Sequence, residues 1–283
     1  MTVKRGFAAW PRGLLHVFLI AGALLMMYPL IWMISSSFKP EQEIFTNLSL
    51  IPRNPTITNY TRGWNGLGQP FTGFFLNSIA LCVLAVIGNL CSCTLAAYSF
   101  ARLRFPLRRV LFGVMLVTIM LPFHATVVPQ YILFRNLGWV GTFLPIVVPK
   151  FLAVDAFFVF LLMQFMRTIP RELDEAAKMD GAGPYRIFWR IMLPLSVPAL
   201  ATTAIFTFLF TWNDFFTQLL YLGNSVQSFT VPVALRAFID ATSQSSWGQL
   251  IAMSILSLVP IFGFFIAFQR LLLQGISTTG IRG

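Results

Sequence analysis

Charged residues are scarce in this chain of 283 residues. Asp, Glu, Lys and Arg make up 10% of it, whereas hydrophobic residues make up 57% and the mean hydropathy is +0.77. Charged residues form about a quarter of a typical soluble domain, so this composition excludes an ordinary soluble surface. The chain is therefore predicted to lie in a membrane.

Lysine and histidine are nearly absent, and this excludes several classes of enzyme. The four lysines are Lys4, Lys39, Lys150 and Lys178, and none follows a glycine as the phosphate-binding sequence GxxxxGK[ST] requires. The two histidines lie in separate apolar stretches, and the sequences HExxH and GxSxG do not occur. We therefore predict that the chain is not an enzyme, has no catalytic residues and binds no metal or other cofactor itself.

Cysteine is also rare, and its three copies, Cys82, Cys91 and Cys93, fall in one apolar stretch. Residues two apart, such as Cys91 and Cys93, lie on nearly opposite faces of a helix. This spacing is unsuited to a disulfide or a metal site, so a packing role is predicted for all three.

Long apolar segments are abundant. A helix that spans a bilayer needs about 20 apolar residues, and hydropathy with Pro and Gly as boundaries gives six such segments. The predicted spans are 14–36, 75–100, 109–132, 142–166, 196–221 and 250–273. The first lacks a clean signal-peptide cleavage site and is expected to be retained. The predicted fold is all-α and polytopic, with residues 1–283 forming a single transmembrane domain.

Basic residues are distributed unequally between the alternate loops. Fourteen lie on the side of the two termini and five on the other side, with Lys150 in or beside the fourth span. Cytoplasmic loops carry an excess of Lys and Arg, which also accounts for the net charge of +11 without a nucleic-acid partner. Both termini are therefore predicted to be cytoplasmic. The segments 37–74 and 222–249 are predicted to be external, the former extended or in turns.

The cytoplasmic segment 167–195 carries four of the nine acidic residues of the chain. Pro170 precedes a run with acidic residues in its first turns, Lys178 lies near its end and Gly181 follows it, which is the pattern of one short helix. One face of this helix is expected to carry Leu173, Ala176, Ala177 and Asp180. The two alanines would allow another protein to approach closely, so the segment is predicted to be a docking element.

This segment resembles the EAA loop of ATP-binding-cassette importer permeases. The shared pattern is Glu175-Ala176-Ala177, three residues, Gly181, nine residues, then Ile191-Met192-Leu193-Pro194. Further similarities, to the carbohydrate-uptake branch and its maltose-type second permease subunit, are Phe74-Phe-Leu-Asn77-Ser78, Trp212-Asn213 and Gly275-Ile-Ser-Thr-Thr-Gly280-Ile-Arg-Gly283. The resemblance implies the type I importer permease fold and an ATPase-coupling helix. The residues that would form it are Leu173, Glu175, Ala176, Ala177, Asp180 and Gly181.

The resemblance also implies a function: a permease subunit of an ATP-driven importer in the bacterial cytoplasmic membrane, forming half of the pathway for a saccharide or sugar-like solute. The implied partners are a second homologous permease, two ATPase subunits that bind ATP and Mg, an extracytoplasmic solute-binding protein and the lipid bilayer. Permeases for amino acids, peptides and ions share the EAA pattern, so a non-sugar solute stays open. A stand-alone secondary transporter is disfavoured because the two halves show no internal repeat, and a membrane scaffold is disfavoured by polar residues in the fifth span.

Polar residues inside the predicted spans are candidates for lining the solute pathway, because such residues are costly in lipid. In the fifth span, one stripe on a continuous helix is formed at i, i+4, i+7 and i+11 spacing by Thr207, Thr211, Asp214 and Gln218. The candidate set is Thr207, Thr211, Trp212, Asn213, Asp214, Gln218, Asn77 and Asp155. The alternative is that the stripe is polar glue between helices. Lys150 and Asp155 are expected to point about 140° apart on a helix and therefore not to pair.

Overall fold

The structure is a computed structural model that describes residues 12–223, 225–239 and 246–277, and the regular structure in these ranges is helical. This confirms the all-α prediction. The helices are α1 (Arg12–Ser37), α2 (Thr58–Asn65), α3 (Phe71–Arg102), α4 (Arg108–Met120), α5 (Phe123–Asn136), α6 (Leu144–Val147), α7 (Ala156–Thr168), α8 (Glu172–Met179), α9 (Pro184–Ile187), α10 (Leu193–Leu195), α11 (Val197–Asn213), α12 (Phe216–Leu222), α13 (Val231–Ala237) and α14 (Trp247–Ser277). The basic residues before Arg12 and the last part of the Gly275–Gly283 motif lie outside the described ranges.

Among the described residues, four helical segments are long and apolar enough to cross a membrane: Gly13–Ser37, Phe71–Arg102, Leu144–Thr168 and Trp247–Gln269. Two bent pairs also qualify when each pair is taken together. These are α4 with α5, bent by 103°, and Pro184–Leu195 with α11, bent by 74°. The described part of the chain therefore contains four to six spans, and six is reached when each bent pair crosses once.

The predicted spans 109–132 and 196–221 are each broken into two helices. The first breaks at Leu121, which is extended (φ −73°, ψ 121°) because the following Pro122 disfavours helical geometry in the residue before it. The second ends at Asn213, since Asp214 has a ψ of 98°, and the chain becomes helical again at Phe216. The second break places the polar side chain of Asp214 outside regular helix within the predicted span.

The first of two structural units comprises residues 1–68 and 238–256. Its segment 38–65 is more ordered than predicted, because it contains α2 and a 3₁₀ turn at Glu41–Glu43. Asn59 donates from its side-chain amide to the carbonyls of Ser37 and Lys39, at 2.8 Å each. The Glu41 carboxylate accepts the backbone N–H groups of Trp247 at 2.7 Å and Gly248 at 2.9 Å. These two bonds satisfy N–H groups that the start of α14 leaves without helical partners.

The second unit comprises residues 69–237 and 257–283, and α3 lies at its centre, packed against α7 and α11. The packing is close because small residues line α3. At Gly88 an added Cβ would lie 2.6 Å from the ring of Phe151, so only glycine fits there. A core of buried residues, among them Ala97 of α3, Leu162 of α7 and Phe188, lies towards one end of these helices. The coupling segment is attached to this end.

Candidate functional site

The predicted cytoplasmic helix is present as α8, from Glu172 to Met179. It ends as the sequence predicts, because Gly181 has a φ of +77°, in the left-handed region that glycine adopts at low cost. The backbone N–H of Gly181 bonds to the carbonyl of Lys178 at 3.0 Å, and that of Ala182 bonds to Ala177 at 2.9 Å. The helix boundaries inferred from Pro170 and Gly181 are confirmed.

The exposed face of α8 differs from the predicted one at a single residue. Leu173 is 42% exposed, and Ala176 and Asp180 are also exposed, as is Glu175. Ala177, however, packs against the buried core of the second unit. It lies three residues after the buried Asp174, so these two form the inner face of the helix. The prediction that Ala177 shares the exposed face is therefore wrong.

A buried ion pair holds α8 to the membrane helices. One Nη of Arg102 lies 3.5 Å from an Oδ of Asp174, and the two side chains are 4% and 10% exposed. The other Nη donates to the carbonyls of Met166 at 2.8 Å and Ile169 at 2.6 Å. One guanidinium thus joins the end of α3, the end of α7 and α8. Sequence analysis counted both residues only as loop charges, although Asp174 lies one turn from Ala177 on the apolar side of the helix.

Three residues of the predicted stripe are buried and hydrogen-bonded inside the chain. Thr207 accepts a bond from the side-chain amide of Asn89 at 2.9 Å, which joins α11 to α3. Gln218 donates to the carbonyl of Thr211 at 2.5 Å and accepts a bond from the hydroxyl of Thr230. These bonds join neighbouring elements, as polar glue does. The break at Asp214 also means that the four residues do not lie on one continuous helix.

The other candidates around the break have separate positions. Asn213 is exposed, and Asp214 accepts the backbone N–H of Thr217 at 3.0 Å, which caps α12. Trp212 is buried and stacks on Phe208, with ring centroids 5.7 Å apart. Asn77 donates to two backbone carbonyls of the segment before α13, those of Gln227 at 2.8 Å and Phe229 at 2.9 Å. None of these bonds brings the candidates together into one site within the described residues.

Lys150 and Asp155 form an ion pair, so the prediction that they do not pair is wrong. Lys150 Nζ lies 2.7 Å from Asp155 Oδ2, and both side chains are about a quarter exposed, at 26% and 28%. The α-helical angle does not apply to them, because Val148–Leu152 is a 3₁₀ turn and Ala153 has a φ of +54°. Asp155 then lies at the N-terminus of α7.

Asp155 also lines a cavity of about 590 Å³ beside the bend between α4 and α5. The polar residues around this cavity are Thr118, Thr126, Gln130 and Asp155, and its apolar walls include Phe157 and Phe210. A carboxylate, an amide and two hydroxyls next to aromatic rings are groups that can bind a polar solute. The bend that the sequence analysis missed brings Thr118 and Gln130 to the same cavity as Asp155.

Comparisons with known proteins agree over nearly the whole chain. The model of a family described as the binding-protein-dependent transport system inner membrane component matches residues 88–278. The chain is 31% identical to the probable ABC transporter permease protein YurM of Bacillus subtilis, over 94% of this chain and 87% of that protein. It is 32% identical to the sn-glycerol-3-phosphate transport system permease protein UgpE of Yersinia enterocolitica, over 92% and 94% of the two chains.

A third relative is the trehalose transport system permease protein SugB of Mycobacterium tuberculosis, which is 32% identical over 94% of this chain and 95% of that protein. Among solved structures, a bacterial ABC transporter involved in the import of the acidic polysaccharide alginate contains a chain of similar fold. The TM-score is 0.79, with 24% sequence identity, and the match covers 91% of this chain and 95% of that one.

Proposed function

Because the chain belongs to the family of binding-protein-dependent transport system inner membrane components, we propose that it is the permease subunit of an ATP-driven importer for a saccharide or sugar-like solute. As a multi-pass permease of this family, it acts with other proteins and is not itself an enzyme. In the proposed assembly it pairs with a second homologous permease in the bacterial inner membrane. Two ATPase subunits bind ATP and Mg, and an extracytoplasmic protein delivers the solute.

The proposed solute class is supported by the names of the relatives. One is named a trehalose permease and another an sn-glycerol-3-phosphate permease, and both align over more than nine tenths of this chain. Trehalose is a sugar and glycerol phosphate is a small polyol ester, so both carry several hydroxyl groups. The polar cavity at the bend between α4 and α5 suits a hydroxyl-rich solute, and we place the pathway along it, with Asp155 as its charged group.

The observation that carries the coupling part of the proposal is the geometry of α8. The helix is short, its inner face is fixed by the Arg102–Asp174 ion pair, and its outer face presents Leu173, Ala176 and Asp180. Leu173 is 42% exposed and has small and acidic neighbours on this face. The outer face of α8 therefore offers an apolar contact that another protein can cover. Because α8 is tied to α3 and α7, a force on this face would reach the membrane helices.

We expect Glu175→Lys to leave membrane insertion intact and to weaken binding of the ATPase subunit. Glu175 is exposed and forms no part of the Arg102–Asp174 contact, so the variant should insert and fold normally. The reversed charge on the docking face should reduce the amount of ATPase subunit that co-purifies with the tagged chain by at least tenfold, since a like-charge or unpaired contact at an interface costs several kcal/mol. Quantitative mass spectrometry of the purified assembly measures this ratio.

Asn136→Lys provides the control, because it places the same cation at an exposed position at the end of α5. It should retain the ATPase subunit at the wild-type ratio. The docking role of α8 is refuted if Glu175→Lys also does so. Failure of any ATPase subunit to co-purify with the wild-type chain would refute the importer itself.

A further inference from the structure

A cluster of arginines lies at the end of the second unit where α3 gives way to α4. Arg104 is in the connecting loop, Arg108 and Arg109 begin α4, and Arg167 is in the last turn of α7. All four line one cavity of about 570 Å³. Arg108 is repelled by Arg104 and Arg167, and also by Arg171, which immediately precedes α8. The cavity is therefore lined by four arginines, and Arg171 lies close to them.

The described part of the chain provides no carboxylate that pairs with the cluster. None of the four guanidinium groups in the cavity forms an ion pair within the part of the chain that the structure describes. Arg108 is held by the backbone, donating to the carbonyls of Leu103 at 3.2 Å and of Phe100. The side chains of Arg104, Arg109 and Arg167 are exposed. Like charges this close repel one another, and a bound anion would relieve that repulsion.

The same cavity has an apolar side. Phe105, Leu107, Val110 and Phe112 line it together with the arginines. The guanidinium of Arg167 lies 5.9 Å from the centre of the Phe112 ring. Leu107 is 69% exposed and has a φ of +59°, an uncommon conformation for a residue with a Cβ. The apolar surface continues along α4, where Val114 and Val117 are 57% and 58% exposed.

We propose that this cavity binds the headgroup of an anionic phospholipid, with its phosphate on the arginines and its acyl chains along the exposed face of α4. Guanidinium groups match phosphate oxygens in a two-bonded geometry, and basic pockets beside membrane helices select anionic headgroups. The continuous apolar strip is what distinguishes a lipid from a soluble anion. An acidic segment of a partner protein would meet the arginines but would leave Val110, Val114 and Val117 uncovered.

The test uses native mass spectrometry of the full-length chain, in whatever assembly it purifies with, after exchange into phosphatidylglycerol or phosphatidylcholine. The wild-type protein should retain phosphatidylglycerol and little phosphatidylcholine. The double variant Arg104→Gln, Arg109→Gln should retain at least fivefold less phosphatidylglycerol, and Arg167→Gln should show a smaller loss. Both variants change exposed side chains and spare Arg108, whose bonds hold the loop, so folding should be unaffected; circular dichroism checks this.

Arg135→Gln is the matched control, because Arg135 is an exposed arginine in the last turn of α5, outside the cavity. It should retain phosphatidylglycerol at the wild-type level. Equal retention by the double variant and the wild type would overturn the proposal. Displacement of the lipid by inorganic phosphate would assign the site to a soluble anion instead, and loss of a protein subunit without loss of lipid would assign it to a protein interface.

Discussion

Asp155 and Asp214, the two carboxylates among the candidate pathway residues, have different surroundings. Asp155 is paired with Lys150 at 2.7 Å and faces the cavity at the bend between α4 and α5. Asp214 accepts a backbone N–H at the start of α12 and does not line that cavity, although it lies close enough to Lys150 to interact with its charge. Both are candidates for the pathway because they are polar residues inside predicted spans, and Asp214 also because of its spacing in the stripe. In the structure Asp155 lines a cavity, whereas Asp214 bonds to the backbone at the start of α12.

We expect Asp155→Asn to lower transport several-fold while leaving stability nearly unchanged. A partly exposed ion pair contributes about 0–1 kcal/mol to the free energy of unfolding, whereas a charge facing a polar solute affects its passage directly. Uptake of labelled solute by cells and thermal unfolding of the purified protein measure the two effects. Asp214→Asn is the comparison, and it should change neither quantity much, because Asn caps helices about as well as Asp. Wild-type uptake by Asp155→Asn would remove this cavity from the pathway.

Residue spacing could not have predicted the Lys150–Asp155 pair. Spacing predicts direction only in a regular helix, and the regularity is lost at Ala153, whose left-handed conformation is rare for alanine. Nothing in the local sequence requires that conformation. It is stabilised by packing of the 148–152 turn against α3, where Gly88 leaves room for Phe151. By contrast, Gly181 was predictable, since glycine itself is the signal for a helix end.

The C-terminal end of helix α8 determines where the chain turns back to the membrane. Gly181 has a φ of +77°, and nothing lies within 4 Å of the position that a Cβ would occupy. A substitution there therefore acts through the backbone alone, without a clash. Substitutions at this position therefore report how much the turn geometry contributes to coupling.

Substitutions at position 181 should lower coupling in the order of the free energy that each residue requires to adopt a positive φ. Gly181→Asn should keep most of the ATP hydrolysis that the solute-binding protein stimulates, because Asn tolerates the left-handed region. Gly181→Val should lose most of it, since the conformation costs a residue with a Cβ about 1–2 kcal/mol and a β-branched one more. The ATPase activity of the reconstituted assembly reports this.

Gly183→Val serves as the control for size, because Gly183 has a φ of −75° and also has open space around it. It should retain stimulated activity. If valine at 181 and at 183 had equal effects, side-chain bulk at the interface, and not the turn, would be responsible.

The existence of the membrane helices was predictable from hydropathy, but their bends were only partly so. Pro122 marks the break between α4 and α5 through its effect on Leu121, and this signal was present in the sequence. The break at Asp214 carries no proline or glycine. Two local bonds accompany it, from the Thr217 N–H to Asp214 and from Gln218 to the Thr211 carbonyl. Asp before a helix is a common start signal, but in an apolar run with no proline or glycine it does not by itself indicate that the preceding helix stops.

The predicted orientation of the whole chain across the membrane depends on the unequal distribution of basic residues. We expect reporter domains fused after Arg104 and after Arg186 to be active in the cytoplasm, and those fused after Arg53 and after Ser228 to be active outside. Paired alkaline phosphatase and green fluorescent protein fusions measure this. The opposite result at all four positions would reverse the orientation, and a mixed result would change the number of spans.

The contact of Glu41 with the start of α14 joins residues 206 positions apart in the chain. During synthesis, the segment that carries Glu41 leaves the ribosome long before Trp247, and domains otherwise tend to fold as their residues emerge. The bonds of Asn59 to Ser37 and Lys39 can form early, whereas the two bonds of Glu41 have to wait for the start of the last helix. A chain that ends before Trp247 therefore leaves the Glu41 carboxylate without these two partners, and we expect it to be cut more readily by proteases near Glu41 than the full chain.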